Sequence, residues 1–200
     1  MGSTQVFQPL TQEDKVTVML YRTGIVLSAM SMAVLAFLLK TAAAGSGADV
    51  KTAADVLVYG LYASVGMSVF SIHLYISKFK RFLKNQFFAS IGGLIVLAAL
   101  GKGSPVTVLT TMPYGWLLLL PLSGCLGFVT AKEAFCFKLF EGYLLAIAMP
   151  VYLVLIAGSM ITPRGAAYGL ILIAVMFVVF TLRKVFMPIA NDIGDKTAYQ

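Results

Sequence analysis

Six stretches of the chain stay apolar long enough to cross a bilayer: residues 23–39, 56–77, 85–101, 116–131, 143–161 and 166–182. A hydrocarbon core about 30 Å thick takes roughly 20 helical residues to cross, at about 1.5 Å each. Lipid satisfies no backbone polar group, and the two-residue alternation of a barrel strand is absent, so each stretch is expected to be a helix. The predicted fold is all-α: a polytopic bundle of six transmembrane helices over residues 23–186, between polar tails at 1–22 and 187–200. An alternative takes 24–39 as a signal core with a small-residue cleavage region at 42–45, leaving five spans. The long preceding segment with Glu13 and Asp14 argues against it. Most connections are short. The exception, 102–115, carries Pro105, Pro113 and a β-prone patch at 106–111, where a loop is expected.

Charge turns this pattern into an orientation. Eleven Lys and Arg residues fall in the two tails and the loops that share their side, among them Lys78, Lys80, Arg81, Lys84, Lys132 and Lys138. The opposite loops hold four: Lys40, Lys51, Lys102 and Arg164. Positive residues collect on the cytoplasmic side, so both termini are expected there. The formal charge of +7 is spread between apolar segments and not over one folded surface. It therefore reads as a topology signal, and nucleic acid is not an expected partner. The lipid bilayer is the expected solvent: 60% of the residues are apolar and 12% charged, against about half and about a quarter in a soluble domain. Cys125 and Cys136 form neither a disulfide framework nor a metal-binding pair, and are expected to be buried, unreactive thiols.

Few residues suggest chemistry. Gly60, Ser64, Ser68 and Ser71 put small side chains along one stripe of the second span, which predicts close helix packing. His73, the only histidine, would lie on the opposite face of that helix with Tyr59, Tyr62 and Gly66. It could ligate a tetrapyrrole lying over Gly66, but its place near the membrane edge favours a headgroup or carbonyl contact, and no cofactor or metal is predicted. Pro121 and Pro150 interrupt the fourth and fifth spans. No Asp, Glu, Lys or Arg falls near the middle of any span, which counts against an ion-coupled transporter.

The densest cluster is the turn after the fourth span. Lys132, Glu133, Phe135, Phe137, Lys138 and Glu141 make a charged, aromatic hairpin expected to dock a partner, with Lys138 and Glu141 paired at helical spacing. Catalysis is not expected there, because no nucleophile or metal ligand accompanies the carboxylates. The run 191–195, Asn-Asp-Ile-Gly-Asp, resembles the start of a magnesium-diphosphate motif but lacks its further acids, and reads as a solvated tail.

Leu20-Tyr-Arg-Thr-Gly-Ile25, Gly60-Leu-Tyr-Ala-Ser-Val-Gly66, Ser71-Ile-His-Leu-Tyr75 and Ala131-Lys-Glu-Ala-Phe-Cys-Phe137 together resemble a family of uncharacterised integral membrane proteins of oxygenic phototrophs and plastids. The resemblance implies a location, a thylakoid or plasma membrane, and no reaction. The expected function is a non-catalytic accessory subunit or assembly factor of a larger membrane complex that contacts other membrane proteins. The alternatives are a small-solute transporter or channel, resting on the two prolines and a three-plus-three inversion of the spans, and a tetrapyrrole-binding protein through His73.

Overall fold

The structure is a computed structural model that describes residues 11–42, 48–74 and 76–193, and every regular element among them is helical. α1 spans Gln12–Ala42, α2 Ala48–Ser71, α3 Ser77–Leu100 and α4 Pro105–Thr111. A 3-10 turn, Pro113–Leu119, leads into α5, Leu120–Phe137, followed by α6, Phe140–Ala157, α7, Pro163–Val185, and the single turn α8, Ala190–Ile193. Six segments are long and apolar enough to cross a membrane: α1, α2, α3, the 3-10 turn with α5, α6 and α7.

Three boundaries differ from those expected. α1 begins inside the predicted N-terminal tail because Thr11 and Asp14 cap it reciprocally: Thr11 N donates to Asp14 Oδ2 at 2.9 Å, and Asp14 N to Thr11 Oγ1 at 3.2 Å. α2 stops at Ser71 and α3 begins at Ser77, so the basic run 78–84 enters α3, where Lys and Arg are good helix formers. The patch expected to be a loop is α4. Ser104 caps it by accepting from Thr107 N at 3.3 Å, Pro105 opens it, and the burial of Val108 and Leu109 overrides their β-branched neighbours' preference. α2 holds this connection through Asp55 Oδ1, which accepts from Val106 N at 2.9 Å, and Tyr59, which donates to Gly103 O at 3.0 Å.

α1 packs between α2 and α7, α5 packs against α3 and α6, and α6 closes onto α7. Tyr21, Ile25, Val65, Ile72, Leu145, Phe177 and Phe180 fill the shared core. α1 and α2 come closest at Gly24. A Cβ there would lie 2.6 Å from Ser64 O and 2.8 Å from Ser68 N. Ser28 Oγ and Ser64 Oγ share a hydrogen bond of 2.8 Å, and Ser68 Oγ donates to Tyr21 O at 3.2 Å. Ser64 and Ser68 thus face α1 and Ser71 is half-buried, but Gly60 is exposed and a Cβ on it meets nothing within 4 Å. The stripe therefore leaves the α1 contact at Gly60.

Since α1 and α2 have no slack at Gly24, Gly24→Ala should lower stability by about 1–3 kcal/mol, whereas Gly60→Ala, in open space, should raise it by up to about 1 kcal/mol. Thermal unfolding of the two variants in mild detergent checks the contrast.

Candidate functional site

The two ends of the bundle differ in kind. One end gathers the start of α1, the ends of α5 and α7, and α8 around buried charge. Lys184 and Glu133 are both 0% exposed, with Lys184 Nζ 2.5 Å from Glu133 Oε2. Lys184 also pairs with the buried Asp192 of α8. Arg22 Nε donates to Asp192 Oδ2 at 2.7 Å, and its two terminal nitrogens donate to the carbonyls of Val185, Met187 and Pro188 at 2.9, 2.6 and 3.1 Å. Glu133 Oε1 accepts from Tyr21 and from Lys132, each at 2.7 Å. Phe137 lays its ring 3.9 Å from Lys184 Nζ. A charge withdrawn from water is tolerable only when paired and hydrogen-bonded, and here each carboxylate meets two cations.

This arrangement revises the docking hairpin. Lys132, Glu133 and Phe137 point into the bundle, so three of the six residues expected at a partner surface are structural. They turn inward because α5 continues through them as helix to Phe137, where the αL residue Lys138 ends it. Phe135 and Phe140 remain exposed, and Lys138 points outward. Glu141 does not pair with Lys138. It takes a bidentate bond from Arg183 at 2.7 and 2.8 Å, because Glu141 belongs to the next helix, beside α7. Asp192, expected in a solvated tail, is buried; Asp195 lies outside the described residues. Cys125 is buried, but Cys136 is exposed.

His73 sits beyond the end of α2, not on its face. His73 Nε2 lies 3.2 Å from Thr17 Oγ1, and its buried Nδ1 has no hydrogen-bond partner. The space imagined over Gly66 is taken by the Phe87 ring, which a Cβ on Gly66 would meet at 2.6 Å. Burial holds the imidazole pKa below its ordinary value, with Lys132 and Lys80 adding to the effect and Asp14 and Asp192 opposing it. Among the described residues, no group of three His, Cys, Asp or Glu side chains could hold a metal.

The other end holds a cavity of about 300 Å³. Its walls are the second halves of α1 and α6, the first halves of α2 and α7, α4, and the entry to α5, with Met32, Val58, Trp116, Leu122, Met149 and Ile173 among the lining residues. Neither Pro121 nor Pro150 is among the lining residues, although each adjoins one in sequence, Leu122 and Met149. Polar side chains on the walls are few: Lys51, Tyr62, Thr110, Ser123 and Tyr152. Sequence reading missed the cavity, Lys184 and Arg22. No pattern marks a hole among ordinary apolar residues, and both cations read as topology signals.

The comparisons with known proteins agree with this architecture without assigning it a task. No curated protein and no solved structure matches the chain. Residues 67–200 match the family described as uncharacterized integral membrane protein (DUF2301), and the chain belongs to that family. The matched region runs from the end of α2 to the C-terminus and includes Glu133, Lys184 and Asp192.

Removing one member of the buried network strands its partner. Glu133→Leu should cost about 3–5 kcal/mol, and adding Lys184→Leu should recover part of that loss, because Asp192 keeps Arg22. A double-mutant cycle in detergent unfolding measures the coupling; additive losses would show that the pair does not interact. For His73 the sign follows from its lowered pKa. The folded state favours the neutral ring, so protonation favours unfolding, and stability present above about pH 6.5 is lost as pH falls through the folded-state value. His73→Asn should flatten that part of the stability profile below about pH 6.5, as read from unfolding midpoints of both proteins across the same buffers.

Proposed function

We propose that this family member is a non-catalytic bundle that holds a lipophilic molecule within the membrane, in the cavity opposite the ion-paired end. The cavity itself carries the reading. Its volume of about 300 Å³ falls at the lower edge of small-molecule sites, about 300–1,000 Å³, and is about twice the engineered apolar cavity of about 150 Å³ that stays dry and binds benzene. The space is partly open to its surroundings, and an apolar molecule seated in it would cover its apolar walls. The distribution of Lys and Arg supports a cytoplasmic ion-paired end, in which case the cavity would open toward the opposite leaflet. The family resemblance in the sequence is what supports a thylakoid or plasma membrane as its place.

A second reading, an accessory subunit or assembly factor, is favoured by Phe135, Phe140 and Phe186, which are 80%, 68% and 83% exposed at the ion-paired end. Aromatic anchors of this kind carry interface energy. The two readings separate on purification in mild detergent, with solvent extraction and mass spectrometry of what accompanies the protein. A lipophile in near-stoichiometric amount, lost from the cavity-filling variant Ala54→Phe, is the expected result. Identical extracts from both proteins, with companion chains that Phe135→Ala and Phe140→Ala release, would sink the ligand reading in favour of the second.

A further inference from the structure

α3 opens with a basic strip that no carboxylate of its own helix answers. Lys78, Lys80, Arg81 and Lys84 fall within its first eight residues, and the helix carries no Asp or Glu. Lys78 and Arg81 are exposed, and Lys80 and Lys84 are half-buried. Lys84 leans over Phe70, its Nζ 5.5 Å from the ring centroid. At the same end of the bundle, Glu133 is taken by Lys132 and Lys184, Asp192 by Arg22 and Lys184, and Glu141 by Arg183. Among the described residues, none of the four α3 cations forms an ion pair. His73 places the strip at the ion-paired end, since it meets Thr17 of α1 and feels the charges of both Lys80 and Lys132.

The strip has two flanks. At about 100° per residue, Lys78 and Arg81 point away from the buried line of Leu83, Phe87 and Ser90, with Lys80 and Lys84 to one side and Phe79 and Phe82 to the other. Phe79 and Phe82 are about half exposed, and each packs one side on Phe128, with ring centroids 6.0 and 6.4 Å away. Farther along, α3 is the least covered of the six spans: 28% of its apolar stretch is buried, against 33–44% in the others, and Phe88, Ile95 and Val96 point outward. A helix that faces lipid along its length brings its basic head to the headgroups above that lipid, where long cationic side chains extend from apolar stems. Four clustered cations without acids complement a negative surface, and an anionic leaflet supplies one.

We propose that the first two turns of α3 are an anionic-lipid site, at which Lys78, Lys80 and Arg81 hold the phosphate of a charged lipid in the leaflet at the ion-paired end, while Phe79 and Phe82 lie against its acyl chains. The site is separate from the cavity and does not depend on what the cavity holds.

Native mass spectrometry of the delipidated full-length protein in a neutral detergent tests the assignment by titration with phosphatidylglycerol and phosphatidylcholine of the same acyl chains. Phosphatidylglycerol should bind about five- to thirtyfold more tightly, the worth of one or two cations at a headgroup. Lys78→Gln, Lys80→Gln and Arg81→Gln together should abolish that preference without changing the unfolding temperature in neutral detergent. Removing three exposed cations of the opposite end, by Lys40→Gln, Lys102→Gln and Arg164→Gln, should leave it intact. In wild type, rising ammonium acetate should erase the preference as the headgroup charge is screened, a readout that needs no variant to fold. Equal loss from both triple variants would reduce the effect to net charge and overturn the site. Complete displacement of phosphatidylglycerol by millimolar inorganic phosphate would make it a phosphate site and not a lipid one. Equal binding of the two lipids to wild type would also overturn it; a companion chain lost from the α3 variant on mild-detergent purification would then assign the strip to an acidic protein.

Discussion

The pairing of Lys184 with Glu133 and Asp192 is the constraint on which the ion-paired end depends. An ammonium group with no exposed surface is tolerable only where carboxylates reach it, and those carboxylates come from different helices. Glu133 brings the end of α5, and Asp192 brings the chain back after α7. Arg22 of α1 then grips Asp192 and the carbonyls that follow α7, neutralising the polar end of a helix whose last carbonyls lack intrahelical partners. Tyr21, one residue earlier, donates to Glu133. Two adjacent positions on α1 therefore read two different carboxylates, which fixes the rotation of α1 against both α5 and α7.

From that anchor, α1 runs along α2 through the Gly24, Ser64 and Ser68 contact, where small residues bring the backbones together. Beyond Ser28 and Ser64, Met32 of α1 and Ala54 and Val58 of α2 line the cavity. Dispersion and small-residue packing hold helices together in lipid, where water supplies no hydrophobic drive. A bundle locked by ion pairs and serine bonds at one end can leave space at the other without losing its register. The division between a rigid end and a hollow end is a physical consequence of where the strong contacts lie.

That division also relocates the chemistry. Charge in this protein works inside the bundle, at Glu133, Lys184 and Asp192, and the exposed remainder of the α5 and α6 hairpin is aromatic, with Phe135 and Phe140 outward. His73 belongs to the same end through Thr17, so its titration bears on how well that end stays closed. The cavity, by contrast, is walled almost entirely by apolar side chains.

Six apolar runs of membrane-crossing length, read from the order of residues alone, determined the helical class and the number of spans, because the bilayer imposes length and backbone satisfaction on any segment that crosses it. The four-residue spacing of Ser64 and Ser68 was likewise legible as one face of a helix, since that periodicity is local. Where α1 begins was written in Thr11 and Asp14, a capping pair easily overlooked beside the apolar run that follows. Only tertiary structure decided the rest. Whether Lys184 and Arg22 face headgroups or carboxylates depends on partners 51 and 170 residues away in the chain, a separation no local pattern encodes. The end of α2 at Ser71, the helical fate of 105–111 and the exposure of Gly60 follow from which surfaces neighbouring helices cover. A cavity lined by leucine, methionine and valine has no signature at all, because those residues would fill a core equally well, and the space between them is set by how whole helices pack.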